Sequence, residues 1–284
     1  RNSEYTLLLN DDAVLIPGSL KVLVKLMDKD DGVGALNGAI LDYAGERMNG
    51  VPSFVDEMAA AVTPTPSEFH EGKYPAVEET NPMGAAALLR NDAISEANGG
   101  REQIFDEEIF VYFDDTILGF KLWNAGWRVV FHPVPLARHL GRSSSSGAFA
   151  AYHALKGRAA LYAAAPSRYK RLTRMYLWRN RLWAERKFHG SGMDFRRAVS
   201  EGLAVGYILR ERYKLNFYKA PVIRLSPWEA ISKAFISAGR VGRKKSEELF
   251  RALTGKDADE SSEYMLERLI MCAKGDRYGT CAAG

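Results

Sequence analysis

Tyr5-Thr6-Leu7-Leu8-Leu9-Asn10-Asp11-Asp12 joins five residues suited to a buried strand to three that carry polar oxygens. Near-continuous apolar runs of this length mark strands covered on both faces. Polar side chains then gather at the strand's carboxyl end, where open α/β sheets place their ligands. Pro17-Gly18-Ser19 follows and opens an amphipathic helix to about Met27.

The same alternation runs on for some hundred residues. Val33 to Leu41 reads as a second strand. Residues 43–80 are rich in Pro, Gly and Glu and read as a long loop, of the kind that forms lids or substrate walls. Met83 to Leu89 suits a strand or a helix. Asp92 to Ala97 reads as a short helix ended by Gly99-Gly100. Thr116 to Ala125 has helical spacing and stops at Gly126. Trp127 to Phe131 reads as a strand closed by His132-Pro133. Strands alternating with helices predict an α/β fold with a mostly parallel sheet. Past residue 150 the pattern turns helical, with a capping box at Ser226-Pro-Trp-Glu229 and a further helix over Ser262 to Lys274.

Composition narrows the classes. The chain has 284 residues, 46% of them hydrophobic and 26% charged, which excludes a disordered or collagen-like protein. No apolar run reaches the roughly 18 residues that a spanning helix needs. The two cysteines, Cys272 and Cys281, exclude a disulfide scaffold and a cysteine-rich zinc site. The opening Arg-Asn-Ser-Glu-Tyr has no hydrophobic leader segment, and a reducing, cytoplasmic compartment is expected.

The net charge of +4 hides a split. Residues 1–150 carry 12 Lys/Arg and 22 Asp/Glu, a net −10. Residues 151–252 carry 23 and 7, a net +16, and residues 253–284 come to −2. Two regions are expected, 1–147 and 148–284, meeting at the Ser-rich run Gly141 to Gly147. An acidic half suits cation chemistry, and a basic half suits phosphate, a membrane surface or nucleic acid. Simple attraction between the halves would give the same pattern.

Three groups of residues carry candidate chemistry. Adjacent carboxylates repel, so Asn10-Asp11-Asp12 suits a bound cation such as Mg²⁺ or Mn²⁺; it also suits plain capping of the next helix. Asp114-Asp115, after Phe110-Val-Tyr-Phe113, could supply a general base, an N-cap, or one of each. His139 could join carboxylates on a metal, although a lone loop histidine is ordinarily just surface.

Their order is more specific than any one of them. The series runs through Asn10-Asp-Asp12, Pro17-Gly18-Ser-Leu20, Asn81-Pro-Met-Gly84-Ala-Ala-Ala-Leu-Leu-Arg90, Gly99-Gly100, Phe105-Asp-Glu107 and Phe110-Val-Tyr112-Phe-Asp114-Asp115. It continues through Leu118, Lys121, Ala125-Gly126-Trp-Arg-Val129, Pro133, and His139 with Gly141 and Ser143. From residue 5 to about 145 this resembles the family 2 glycosyltransferases of the GT-A fold, particularly their bacterial rhamnosyltransferase-like and galactofuranosyltransferase-like members. The resemblance implies a Rossmann-like GT-A domain followed by a helical extension. It implies Asp12 and His139 as ligands of Mg²⁺ or Mn²⁺ on the donor diphosphate, Asp115 as catalytic base and Asp114 as its acidic neighbour. Asn10, Asp11, Gly84 and Lys121 fall at substrate-binding positions. Gly84 would leave room for substrate, and Lys121 stands where arginine is usual. Ile117 departs from a common aspartate, which leaves acceptor preference open.

The resemblance also implies a nucleotide-binding βαβ unit ahead of the acidic motif. It is missing here, so a truncated start is expected and a fragment inactive by itself. The implied reaction is inverting transfer from a nucleotide-diphospho-sugar to a glycan or lipid-linked hydroxyl, at the inner face of the plasma membrane. A metal-dependent phosphate-ester hydrolase using the same aspartates, or a degenerate glycan- or nucleotide-binding module, would carry the same residues.

Residues 171–188 put Leu172, Met175, Tyr176, Trp178, Leu182 and Trp183 on one broad helical face, interrupted by Arg171, Arg179 and Arg186. Such a mix suits an anionic membrane surface, with Arg171, Arg174, Arg179 and Arg181 meeting headgroups. Pairing of these arginines with the acidic half is the competing reading. No nucleic-acid motif accompanies the basic surface, so no nucleic acid is expected as partner.

Overall fold

Val33–Leu41 is buried at all nine positions, and the rest of the domain is arranged around it. The structure, a computed structural model, describes residues 3–48, 51–63, 67–70, 74–101, 103–141, 147–226 and 230. Strands β1 (Tyr5–Leu9), β2 (Ala13–Leu15) and β3 (Val33–Leu41) come first, with helix α1 (Ser19–Met27) between β2 and β3. Five short or edge strands follow: β4 (Arg47–Met48), β5 (Phe54–Val55), β6 (Ala61–Val62), β7 (Ser67–Glu68) and β8 (Val77–Glu78). Then come β9 (Ala86–Arg90), α2 (Asn91–Ala97), α3 (Asp114–Ala125) and β10 (Arg128–His139). Helices α4 (Ala148–Ala164), α5 (Lys170–Arg179), α6 (Arg181–Phe188) and α7 (Phe195–Tyr213) complete the described chain, with one 3₁₀ turn at Phe217–Lys219.

The α/β class expected from the alternation is present, but the sheet is mixed. Its main order is β1-β9-β3-β10-β2, and β3–β10 is its one parallel pair among the described residues. β1–β9, β3–β9 and β2–β10 all run antiparallel. Apolar runs report burial on two faces, which parallel strands usually have. Here β3 and β9 are buried throughout whatever their direction, whereas β1, expected to be buried from its apolar run, is a partly exposed edge strand with Leu9 open to solvent. Along β9, Ala87 and Leu89 join one core cluster while Ala86 and Leu88 join the other, as alternate residues of a strand must. One face is covered by α2, α3, α4 and α7. The other is covered by Leu23 and Met27 of α1 and by Val51, Phe54 and Val62 from the long connection.

That connection, read as a loop over 43–80, is in part core: every residue from 51 to 60 is buried. β10 also overrides a boundary read from sequence. It runs through Pro133 and Pro135 to His139, instead of stopping at His132-Pro133. The ladder to β3 is irregular between Phe131 and Pro135, and this irregularity absorbs the prolines' missing donors.

The helical half shares the sheet's core. Ala160, Leu161 and Ala164 of α4 and Val205 and Leu209 of α7 lie in one cluster with Ala35, Leu89, Leu118 and Phe120. The basic stretch is two helices that meet at the buried Asn180. Trp178 and Trp183 are exposed, as a lipid face requires, but Tyr176 is 8% exposed and its hydroxyl accepts from Arg158 Nη1 at 3.0 Å. Leu172 packs on the Met58, Tyr176 and Leu225 cluster. Tyr176 and Leu172 therefore belong to the core and not to the expected lipid face. Their part of the stripe is apolar because it meets protein. No helix among the described residues is long and apolar enough to cross a membrane. The helix expected at 262–274 and most of the capping box at 226–229 lie outside the described residues.

Candidate active site

The register of β2 on β10 builds the first half of the site. Ala13 stands opposite His139, Val14 opposite Arg138, and the Leu140 N–H donates to the Asp12 carbonyl at 3.0 Å. Asp12 and His139, far apart in sequence, thus become neighbours. His139 Nε2 lies 2.9 Å from Asp12 Oδ1, and both side chains are partly open to solvent. Asn10 and Asp11 form the exposed turn before β2, closed by Ala13 N–H to the Asn10 carbonyl at 3.1 Å.

The second half is joined to the first through β1 and β9. The Asn10 N–H donates to the Ala85 carbonyl at 3.0 Å, and the neighbouring Gly84 N–H donates to Asp115 Oδ2 at 3.3 Å. A Cβ on Gly84 would lie 3.6 Å from that oxygen, so residue 84 does border the carboxylate. Asp115 Oδ1 accepts from the Thr116 N–H at 2.6 Å and from its hydroxyl at 3.3 Å. Burial, then the charge of Asp114, pushes the Asp115 carboxyl up to about 6. Burial also raises Asp114.

Neither aspartate is the N-cap that the sequence allowed. Phe113 holds that position, and both acids lie in the first turn of α3. Tyr112 and Phe113 have φ of 62° and 65°, two consecutive side-chain-bearing residues in the left-handed region. Such backbone is costly and clusters at functional sites. One glycine lets α4 lie against this turn, and another brings residues 80–81 onto α3. At Gly157 of α4 a Cβ would come within 2.6 Å of the Tyr112 carbonyl and 2.9 Å of Phe113 Cβ. At Gly119 of α3 a Cβ would come within 2.3 Å of the Thr80 carbonyl, so only glycine lets residues 80–81 lie against the helix.

Sequence reading missed Glu79, whose side chain ends inside the protein. Its two oxygens accept from Asn37 Nδ2 at 2.5 Å and from the Ser53 N–H at 2.6 Å. Burial pushes this carboxyl up to about 8, helped by the charge of Asp115. Asn37 Oδ1 accepts in turn from the Met83 N–H at 3.2 Å, one residue before Gly84. The available signal was a lone asparagine inside the apolar β3 run.

Lys121 is not brought to the site. It is 2% exposed, and its ammonium donates to Asn98 Oδ1 at 2.5 Å and Asp106 Oδ2 at 2.8 Å. Asp106 also accepts from Arg212 Nη1 and the Tyr213 hydroxyl. Burial works to raise Asp106, but Lys121, Tyr213 and Arg212 outweigh it and hold its pKa below the usual carboxylate range. Lys121 is spent on that network, which ties α3 to α7.

Asp12 and His139 can offer one carboxylate oxygen and one imidazole nitrogen to an ion. No group of three or more His, Cys, Asp or Glu able to hold a metal occurs among the described residues. Two protein ligands suit Mg²⁺ or Mn²⁺, which keep waters and bind substrate phosphates at their other positions.

The profile described as "Glycosyltransferase like family 2" matches residues 1–160. No curated protein matches the chain. Among solved structures, the crystal structure of GalNAc-T7 with UDP, GalNAc and Mn²⁺ is similar at 13% identity with a TM-score of 0.42. That match covers 75% of this chain and 42% of that one, so the chain spans less than half the length of this relative. With more than half of its residues matched by the family profile, the chain belongs to the glycosyltransferase family 2-like proteins.

Proposed function

We propose that the chain carries the metal-binding and acceptor-activating residues of an inverting, rhamnosyltransferase-like glycosyltransferase. The observation that carries this reading is Asp115. It is a carboxyl pushed up to about 6, set beside a strained turn and oriented by the Gly84 and Thr116 N–H groups. A base is most effective when its pKa lies near working pH. As the acceptor hydroxyl oxygen bonds to the anomeric carbon, the bond from that carbon to the donor diphosphate breaks. The bonding electrons leave on the diphosphate and the hydroxyl proton passes to Asp115. Attack from the face opposite the leaving group inverts the anomeric centre.

Asp12 and His139 would hold Mg²⁺ or Mn²⁺, which when bound offsets negative charge on the departing diphosphate. Asn10, Asp11 and Gly84 border the same region and would contact substrate. The acceptor would be a glycan or lipid-linked hydroxyl at the cytoplasmic membrane face, with Trp178 and Trp183 meeting an anionic surface. The test is a panel of nucleotide-sugars with divalent ion, assayed on the intact gene product with wild-type and Asp115→Asn proteins. Product of inverted configuration that disappears with Asp115→Asn is the expected result. Turnover unaffected by the substitution, or a product of retained configuration, would refute the reading.

A further inference from the structure

Away from Asp12, Asp114 and Asp115, the loop between α4 and α5 and the first turns of α5 border an open hollow of about 590 Å³. Tyr162, Arg168, Tyr169, Lys170, Arg171 and Arg174 line it, and no carboxylate does. Its volume lies in the range of small-ligand sites.

The charges around it are unequal. Arg168 is already neutralised: Nε and Nη2 each lie 2.9 Å from the two oxygens of Glu57, a fully buried side chain, and Nη2 also donates to the Leu225 carbonyl at 2.8 Å. Its guanidinium lies 4.8 Å from the centre of the Tyr169 ring, and the Tyr169 hydroxyl donates to the same Leu225 carbonyl. One wall is thereby fixed to the core. Lys170, Arg171 and Arg174 have no hydrogen-bond or ion-pair partner among the described residues. Arg174 is close enough for its charge to act on the Tyr162 phenol. Three uncompensated cations around one concavity repel one another, and α5 has no acidic residue in its first turn to offset them. Arginine forks and a lysine match phosphate oxygens, and a two-centred dianion would meet all three.

We infer that this hollow is a binding site for a phosphate or diphosphate group, separate from the Asp12–His139 centre. The group could arrive free in solution or carried on a lipid, and the site's chemistry is common to both. The inference does not depend on the transferase reading, because none of its residues belongs to the proposed catalytic set.

The test uses the full chain in EDTA, so that no divalent ion at Asp12 and His139 contributes. Inorganic pyrophosphate is titrated calorimetrically, and co-sedimentation is measured with neutral phosphatidylcholine vesicles and with vesicles containing phosphatidylglycerol. Wild-type protein should bind pyrophosphate, the anionic vesicles or both, more weakly as salt rises. Pyrophosphate alone would mark a soluble ligand and anionic vesicles alone a lipid-borne one. Arg171→Ala/Arg174→Ala should weaken whichever binding is found by about tenfold or more, since each basic residue near such charge adds comparably. Arg171→Lys/Arg174→Lys should retain most of it, and circular dichroism should show all variants folded. Trp178→Ser/Trp183→Ser should leave pyrophosphate binding intact. No binding of either probe, or equal binding by wild type and the double alanine variant, overturns the inference.

Discussion

The first turn of α3 and its last two turns handle buried charge in opposite ways. At its start, the partly buried Asp114 and Asp115 lie side by side with no Lys or Arg bonded to them among the described residues, and burial raises both pKa values. Near its end, Lys121 and Asp106 meet at 2.8 Å, with Arg212 and Tyr213 completing the contacts. The same helix thus holds a pair of acids that resist ionisation and an acid that is kept ionised. The first arrangement weakens the fold and suits proton transfer, whereas the second joins the sheet half to α7. Burial of charge therefore does not mark a functional residue by itself. Burial without a counter-charge is what makes Asp115 the candidate.

Breaking the compensated end should cost the most stability. Lys121→Met leaves Asp106 short of a partner in a site where the lysine is 2% exposed. Loss of one member of a buried pair costs about 3–5 kcal/mol, measurable as a lower denaturant midpoint. A variant as stable as wild type would show that Arg212 and Tyr213 suffice for Asp106, and the contrast would fail.

At the uncompensated end, Asp115→Asn should lower turnover about 10²-fold or more with donor binding kept. Its effect on stability should have the opposite sign. The folded-state pKa of about 6 lies above the ordinary 3.8, so between those values the folded state holds the extra proton and stability falls as pH rises. The variant should therefore gain on wild type in melting temperature across that interval, and the gain should persist at pH 7. The wild-type rate should climb through about pH 6 as the base ionises. A rate that is flat across this region would separate Asp115 from proton transfer.

Substitution of His139 by alanine should weaken Mn²⁺ binding by about tenfold or more, while Asp115→Asn leaves it near normal. Paramagnetic titration of the free ion distinguishes the two. The smallest effect is expected at the surface. Trp178→Ser/Trp183→Ser should reduce adsorption to anionic vesicles about severalfold, as two interfacial side chains of modest burial would. No change there would remove the membrane contact and leave the catalytic contrast untouched.

One end of this contrast could be read from the residues. The strand Val33–Leu41 and the helix running to Gly126 were legible because their patterns are strong and end in clear signals. Asp12, His139, Asp114 and Asp115 stood out because acids and a histidine followed strands in an ordered series. What was hidden depends on contacts between distant segments. β2 is three residues long and shows no period to read. β10 continues through two prolines because an irregular ladder tolerates them. Lys121 falls at a substrate-binding position only by resemblance, and nothing local in the sequence shows that Asp106 and Asn98 enclose it. Glu79 lay in a stretch whose composition suggested a loop, although its neighbours bury it.

The pairing of Asp12 with His139 spans 127 residues, and main-chain contacts between β2 and β10 maintain it. Contacts between partners so far apart close late, because the chain's entropy loss must first be offset by nearer ones. The pair proposed to bind the ion therefore comes into being only after β3, β9 and α3 have been laid down between its members. A divalent ion added during refolding should then leave the early kinetic phases unchanged and retard unfolding, so that ion binding reports on completion of the domain and does not guide its assembly.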